Sequence, residues 1–135
     1  VEAYADRFDA ESAQGAEGLH RLDPDRPHAL RLLTRTQARD LHSDTRRLAL
    51  ALDDYLDLQG HAYDYVAALQ AGLAAARTLA DRHEEGDWLG NLGNAYAVLG
   101  QVAAAIEYHE QALAISREIG YRRGEGAHLG NLGQA

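Results

Sequence analysis

The chain contains no cysteine, which excludes disulfides and thiolate-bound zinc and points to a reducing, cytoplasmic setting. Methionine is absent as well, so a chain running from Val1 to Ala135 reads as a segment of something longer. Lysine is also missing: all 13 basic residues are arginine, set against 21 Asp and Glu for a formal net charge of −8. The acidic excess is spread along both halves, whereas a nucleic-acid partner needs a clustered basic face. No apolar run approaches the ~20 residues of a membrane span. The opening residues include Glu2, Asp6 and Asp9 in place of the basic and apolar stretch of a signal peptide.

The 46% apolar and 25% charged composition is that of a folded domain rather than a disordered one. The organising stretch is Gly90-Asn91-Leu92-Gly93-Asn94-Ala95, which returns 40 residues later as Gly130-Asn131-Leu132-Gly133-Gln134-Ala135. Between the copies lie a turn at Gly100, an amphipathic helix pattern from Gln101 to Ile119 and a break at Gly120. A fixed period of this size is the mark of a helical solenoid.

Upstream, Tyr4, Ala5 and Phe8 follow Val1 at helical spacing, which predicts a helix to about Ala13. Leu22 to Pro27 reads as a loop, since each proline biases its predecessor away from helix. Pro27 then opens a helix carrying Leu30, Leu33 and Leu41 that ends around His42, and Ser43 or Asp44 is placed to cap the next one. That helix presents Leu48, Leu52, Tyr55 and Leu56, widened by Leu50 and Leu58, and stops at Gly60. A further helix from about Ala62 to Ala80 shows Tyr65, Val66, Leu69, Leu73 and Leu79, followed by a loop over Asp81 to Gly86.

Sliding this unit forward by 40 sets Leu52 on Leu92, Gly60 on Gly100, Leu73 on Leu113, Arg77 on Arg117 and Gly86 on Gly126 without a gap. The expected division is therefore an irregular helical segment over 1–44, a diverged repeat over 45–85, a second over 86–125 and the first helix of a third over 126–135.

Leu92-Gly93, Tyr96, Gly100, Ala105, Ala112 and Leu113 resemble, in order, the small and large positions of a tetratricopeptide repeat of the longer, roughly 40-residue kind. His109 stands where that family usually has an aromatic, and the proline expected near the end of the second helix is missing. The arrangement is most similar to repeats of kinesin light chains, spindle-orientation adaptors and bacterial STAND regulators, which join an NTPase domain to C-terminal repeats. Leu52 to Gly60, followed by Ala74-Ala75-Ala76-Arg77, looks like the entry to the repeats of those bacterial regulators. The resemblance implies an all-α, right-handed α-α superhelix of antiparallel hairpins.

Independently of the name, Gly90 and Gly93 inside a helix each cost about 1 kcal/mol relative to alanine, which tight packing must offset. Gly93 and Ala105 are expected to let paired helices approach, while Leu92, Tyr96 and Leu113 fill the space between hairpins.

Asp87, Gly90, Asn91, Asn94 and Val98 share one helix face by their spacing. Asn131 repeats Asn91, Gln134 echoes Asn94, and the diverged repeat carries Asp54 and Asp57 there. In the resembled family this face lines a concave groove that takes a peptide, and an amide ladder could pair with a partner's backbone. Such amides could equally bond neighbouring helices or water, and carboxylates on a helix face are ordinarily just solvated.

Other chemistry finds little support. The glycines at 86, 90, 93 and 100 lack the Lys and following Ser or Thr of a phosphate loop. The seven histidines are scattered without metal-ligand spacing. His109 reads as a packed substitute for an aromatic. Asp53, Asp54 and Asp57 form an acidic face with no evident cleft, and Arg122-Arg123 beside Glu125 reads as a solvated turn. No cofactor, metal or catalytic residue is expected.

The expected function is a non-catalytic interaction scaffold for a peptide or protein domain, within a larger bacterial signalling protein. The alternative is a structural module that self-assembles or controls an attached NTPase or effector. An incomplete last repeat would expose Leu129 and Leu132 and favour a homo-oligomer.

Overall fold

The computed structural model describes residues 1–58 and 61–134, apart from the side chains at positions 58 and 134. Among the described residues every regular element is helical. The order is α1 (Glu2–Ser12), α2 (Ala16–Leu22), a single 3-10 turn (Asp23–Asp25), α3 (Arg26–Ala38), α4 (His42–Leu58), α5 (Ala62–Thr78), α6 (Arg82–Val98), α7 (Val102–Glu118) and α8 (Arg122–Gln134).

The helices follow a backbone register of 20 residues, half the sequence period. Four of them, α4 to α7, are each 17 residues long, about 25 Å at 1.5 Å per residue. From α3 onward the junctions are closed by the same hydrogen bond, in which the first amide after the turn reaches back five residues. Leu41 N donates to Thr36 O at 2.9 Å, His61 N to Leu56 O at 3.2 Å, Asp81 N to Ala76 O at 3.0 Å, Gln101 N to Tyr96 O at 2.9 Å and Tyr121 N to Ser116 O at 2.8 Å. This Schellman closure requires a left-handed residue at its centre. Gly100 (φ 75°) and Gly120 (φ 72°) supply it at no steric cost, whereas Asp40 (φ 54°) and Ala80 (φ 58°) adopt it with a side chain in place.

The register reaches further back than the sequence pattern, since α3 and its turn at Asp40 obey it while α1 and α2 do not. The stretch Leu22 to Pro27 is not the expected loop: Leu22 ends α2, Pro24 sits in the 3-10 turn, and Arg26 opens α3 with Pro27 in its first turn, where a missing amide hydrogen costs nothing.

Three further local expectations are corrected. The stretch Asp81–Gly86 is not a loop. Asp81 is an N-cap whose carboxylate accepts from Glu84 N at 3.0 Å, and α6 begins at Arg82 with Glu84 and Glu85 favourably placed in its first turn. Ser43 and Asp44 lie within the first turn of α4 rather than capping it. Arg122 and Arg123 open α8, and the turn itself is Ile119-Gly120.

The chain divides into two compact units, Val1–Ala75 and Ala76–Ala135. In the first, α1 lies against α2 and α4, and α3 against α4. Phe8, Leu22, Leu33, Leu48, Leu52, Tyr55, Leu56 and Leu69 are buried in it, with the Phe8 and Tyr55 rings edge to face at 5.7 Å. Arg47 on α4 binds three carboxylates of α1, reaching Glu2 at 2.9 Å and Asp6 and Asp9 at 2.7 Å. Leu50 is a departure from the expected apolar stripe, being 40% exposed.

In the second unit α7 packs against both α6 and α8. Trp88, Leu89, Leu92, Ala105, His109, Ala112, Leu113 and Ile115 are buried there. Tyr96 is only half buried. Its ring stacks on Tyr108 of the facing helix, 5.3 Å apart and 4° from parallel, rather than filling space between hairpins.

Candidate interaction face

The glycines of α6 define its inner surface. A Cβ at Gly86 would meet Ile115 of α7 at 3.2 Å, one at Gly93 would meet the His109 ring at 2.6 Å, and one at Gly90 would meet Cε1 of His128 on α8 at 2.7 Å. Helix α6 thus keeps bare backbone where two neighbours press on it. His109 is buried, as expected for a residue standing in an aromatic position.

The residues selected from the sequence flank Gly90 on α6. Asp87, Asn94 and Val98 are exposed, Val98 to 80%, and Asn91 is half buried. No side-chain hydrogen bond joins Asn91, Asn94 or Asn131 to another described residue, so these amides retain their donors and acceptors. Asn131, half buried, follows His128 by three residues on α8, while Asn91 follows Gly90 by one on α6. The His128–Gly90 contact therefore brings together the two helices that bear the repeated amides. Gln134 ends α8, and its side chain lies outside the described residues.

Asp87 differs from a freely solvated carboxylate. Its Oδ2 lies 3.3 Å from Nδ1 of His83 one turn earlier. Surrounding protein atoms raise its pKa, against the opposing pull of His83 and His128. Leu129 is 47% exposed and Leu132 half buried, so of that pair Leu129 presents the larger apolar surface. The glycines of α8 that repeat those of α6, namely Gly126, Gly130 and Gly133, have nothing near a virtual Cβ.

On the first unit Asp54 and Asp57 are exposed on α4, but Asp53 beside them is not. It is partly buried, its pKa is raised by desolvation, and its carboxylate bonds the Tyr65 hydroxyl while Oδ1 finds no partner. Sequence pattern carries no sign of this pair, because Asp53 lies among acids that are solvated. A shallow depression of about 490 Å³ runs along α3, lined by Leu30, Arg31, Thr34, Arg35 and Ala38. None of the residues selected from the sequence borders it.

Among the described residues no group of three or more His, Asp or Glu could hold a metal ion, and no helix is long and apolar enough to cross a membrane. Helices joined by one repeated turn geometry, two of them tied together by side chains seated on glycine, define an all-α helical-repeat protein. More particularly, residues 86–119 match the family model described as tetratricopeptide repeat, so the chain carries a tetratricopeptide repeat over α6 and α7. A repeat of this family is a protein–protein interaction module, and the family is generally non-catalytic. No curated protein matches the chain.

Proposed function

We propose that the chain is a non-catalytic scaffold that binds an extended or helical peptide along the face of α6 and α8 bearing Asp87, Asn91, Asn94, Val98, Asn131 and Gln134. The observation that carries this reading is the unengaged state of the Asn91, Asn94 and Asn131 amides. An amide can donate to and accept from a partner's backbone at one site, which makes a repeated amide a backbone reader. On α4 the exposed Asp54 and Asp57 give the first unit a separate contact that suits a basic partner. The sequence division at 45–85, 86–125 and 126–135 belongs to this reading. So does a place in a cytoplasmic bacterial signalling protein, which rests on the resemblance to STAND regulators.

A second reading is favoured by the exposed side of α8. Leu129 is exposed and Gly126, Gly130 and Gly133 are uncovered, which suits self-association or docking of an attached NTPase or effector domain.

Selection from a displayed random-peptide library, followed by titration of the enriched peptides, tests the first reading. Asn91→Ala and Asn131→Ala should weaken binding about tenfold with stability changed by under about 1 kcal/mol. Enriched peptides that bind both variants unchanged would remove the groove assignment. Light scattering across concentrations, with Leu129→Asp as the control, tests the second: a wild-type monomer at all concentrations would remove it.

A further inference from the structure

His109 and His128 occupy places that the rest of the chain fills with apolar side chains. Forty residues before His128 stands Trp88, and forty before that Leu48; forty before His109 stands Leu69. All five are buried. The last junction alone has two titratable rings there, and Gly90 and Gly93, three residues apart on one helix, seat them side by side. In both rings Nδ1 is buried without a hydrogen-bond partner.

We propose that His109 and His128 form a pH-sensitive latch, which holds α8 on the glycine face of α6 while both rings are neutral and releases it in mildly acidic solution.

The geometry supplies the bias. A neutral imidazole fits this seat as a compact, mostly apolar ring whose missing hydrogen bond is a modest penalty. A protonated ring makes Nδ1 an obligatory charged donor with nothing to receive it. A second charge on the neighbouring ring compounds the cost. Both pKa values are accordingly lowered, His109 by burial and then by His128, and His128 by burial against an opposing pull from Asp87.

The charged surroundings are few. From α6, Asp87 faces His128 and is itself held by His83, with Glu84 and Asp81 acting on it as like charges. From α7, the titratable ring beside His128 is His109, whose own pKa His128 lowers. On α8, Glu125 is engaged by Arg117 at 3.0 Å. One partly solvated carboxylate thus favours the charged form of His128, while the burial of His109 has no such offset.

For a depressed imidazole the stabilisation is complete above the ordinary value of 6.5. It is lost as pH falls through that value towards the folded pKa, and is level below it. Each unit of depression corresponds to a tenfold change in the closed-to-open ratio. Opening α8 would also uncover the backbone at Gly90, next to Asn91, so acid would alter the α6 face from beneath.

Amide exchange of the whole chain at pH 7.5, 6.5 and 5.5, corrected for intrinsic rates, reads the latch directly. Protection in α8 should fall about tenfold or more across that range, with α4 as the internal reference. In the double variant His109→Leu, His128→Leu the fall should shrink to under about twofold, and Asp87→Asn should enlarge it by removing the opposing charge. Unchanged α8 protection in the wild type, or a full acid response in the double variant, would overturn the latch. Should the double variant not fold at pH 7.5, NMR titration of the two imidazoles in the wild type decides: midpoints below 6.5 support the latch, and midpoints at or above it end it.

Discussion

The imidazole of His109 sits so close to Gly93 that a Cβ at that position would meet Cε1 and Nε2 at 2.6 Å. Glycine in the middle of a helix is therefore a condition of the α6–α7 approach. The contrast with α8 is informative, because Gly130 repeats Gly90 in sequence yet has nothing near its virtual Cβ.

Gly93→Ala should destabilise the chain by about 1–3 kcal/mol, since the clash with a buried ring exceeds the gain in helix propensity. Gly130→Ala should instead stabilise α8 by up to about 1 kcal/mol, as for any open helical glycine. Urea midpoints of the two variants measure both, and equal signs would contradict the packing described.

Ala80 closes a hairpin turn at φ 58° while Gly100 and Gly120 occupy the matching places. The left-handed conformation is strained for alanine and free for glycine. Ala80→Gly should accordingly raise stability by about 1 kcal/mol with no change in helix content, read from thermal melts and far-ultraviolet circular dichroism.

How much was legible follows from where glycine sits. Gly100 and Gly120 announce their turns, and the spaced repeat of Gly90 and Gly93 announces a helix pair. The turn at Ala80 carried no such signal, so the sequence suggested a helix to Ala80 and a loop after it. Backbone register, set by equal helix lengths and a repeated closure, put α6 at Arg82 instead. Spacing alone sorts one helix face from another, and on that side of α6 Asn94 is exposed while Asn91 is half buried. The coupling of His128 to Gly90 was not, since it depends on which helices become neighbours, although the match of His128 to the buried Trp88 forty residues earlier was available as a clue.

Asp53 and Tyr65 give a prediction of unusual sign. Desolvation raises the folded pKa of Asp53 above the ordinary carboxylate value of 3.8. A raised carboxylate contributes stability below the unfolded pKa and loses it as pH rises through the folded value. At pH 7 the buried charge is thus a liability, and Asp53→Asn should leave the urea midpoint equal or higher than wild type. At pH 3, where wild-type Asp53 is protonated, the advantage should vanish. A lower midpoint at pH 7 would mean that the ionised form is the stabilising one.

Glu85 has the opposite behaviour for an identifiable reason. It is buried to 7% exposure at the start of α6, and burial by itself would raise its pKa. Arg82 at 2.9 Å and Arg77 at 3.1 Å more than offset that, and the net shift is downward from 4.5. A lowered carboxylate contributes above its unfolded pKa and is lost as pH falls through the folded one. Both arginines are about half exposed, so solvent screens part of the attraction and the loss from Glu85→Gln should be about 1–2 kcal/mol at pH 7. As pH falls through the lowered folded pKa the wild-type carboxyl itself becomes neutral, and the two proteins should converge. Arg82 also pairs with Glu118 near the end of α7, so the variant should loosen the α6–α7 hairpin specifically. Exchange of α7 amides should rise at pH 7 while that of α4 stays level. A uniform rise in both would show that Glu85 supports the fold as a whole and not this hairpin.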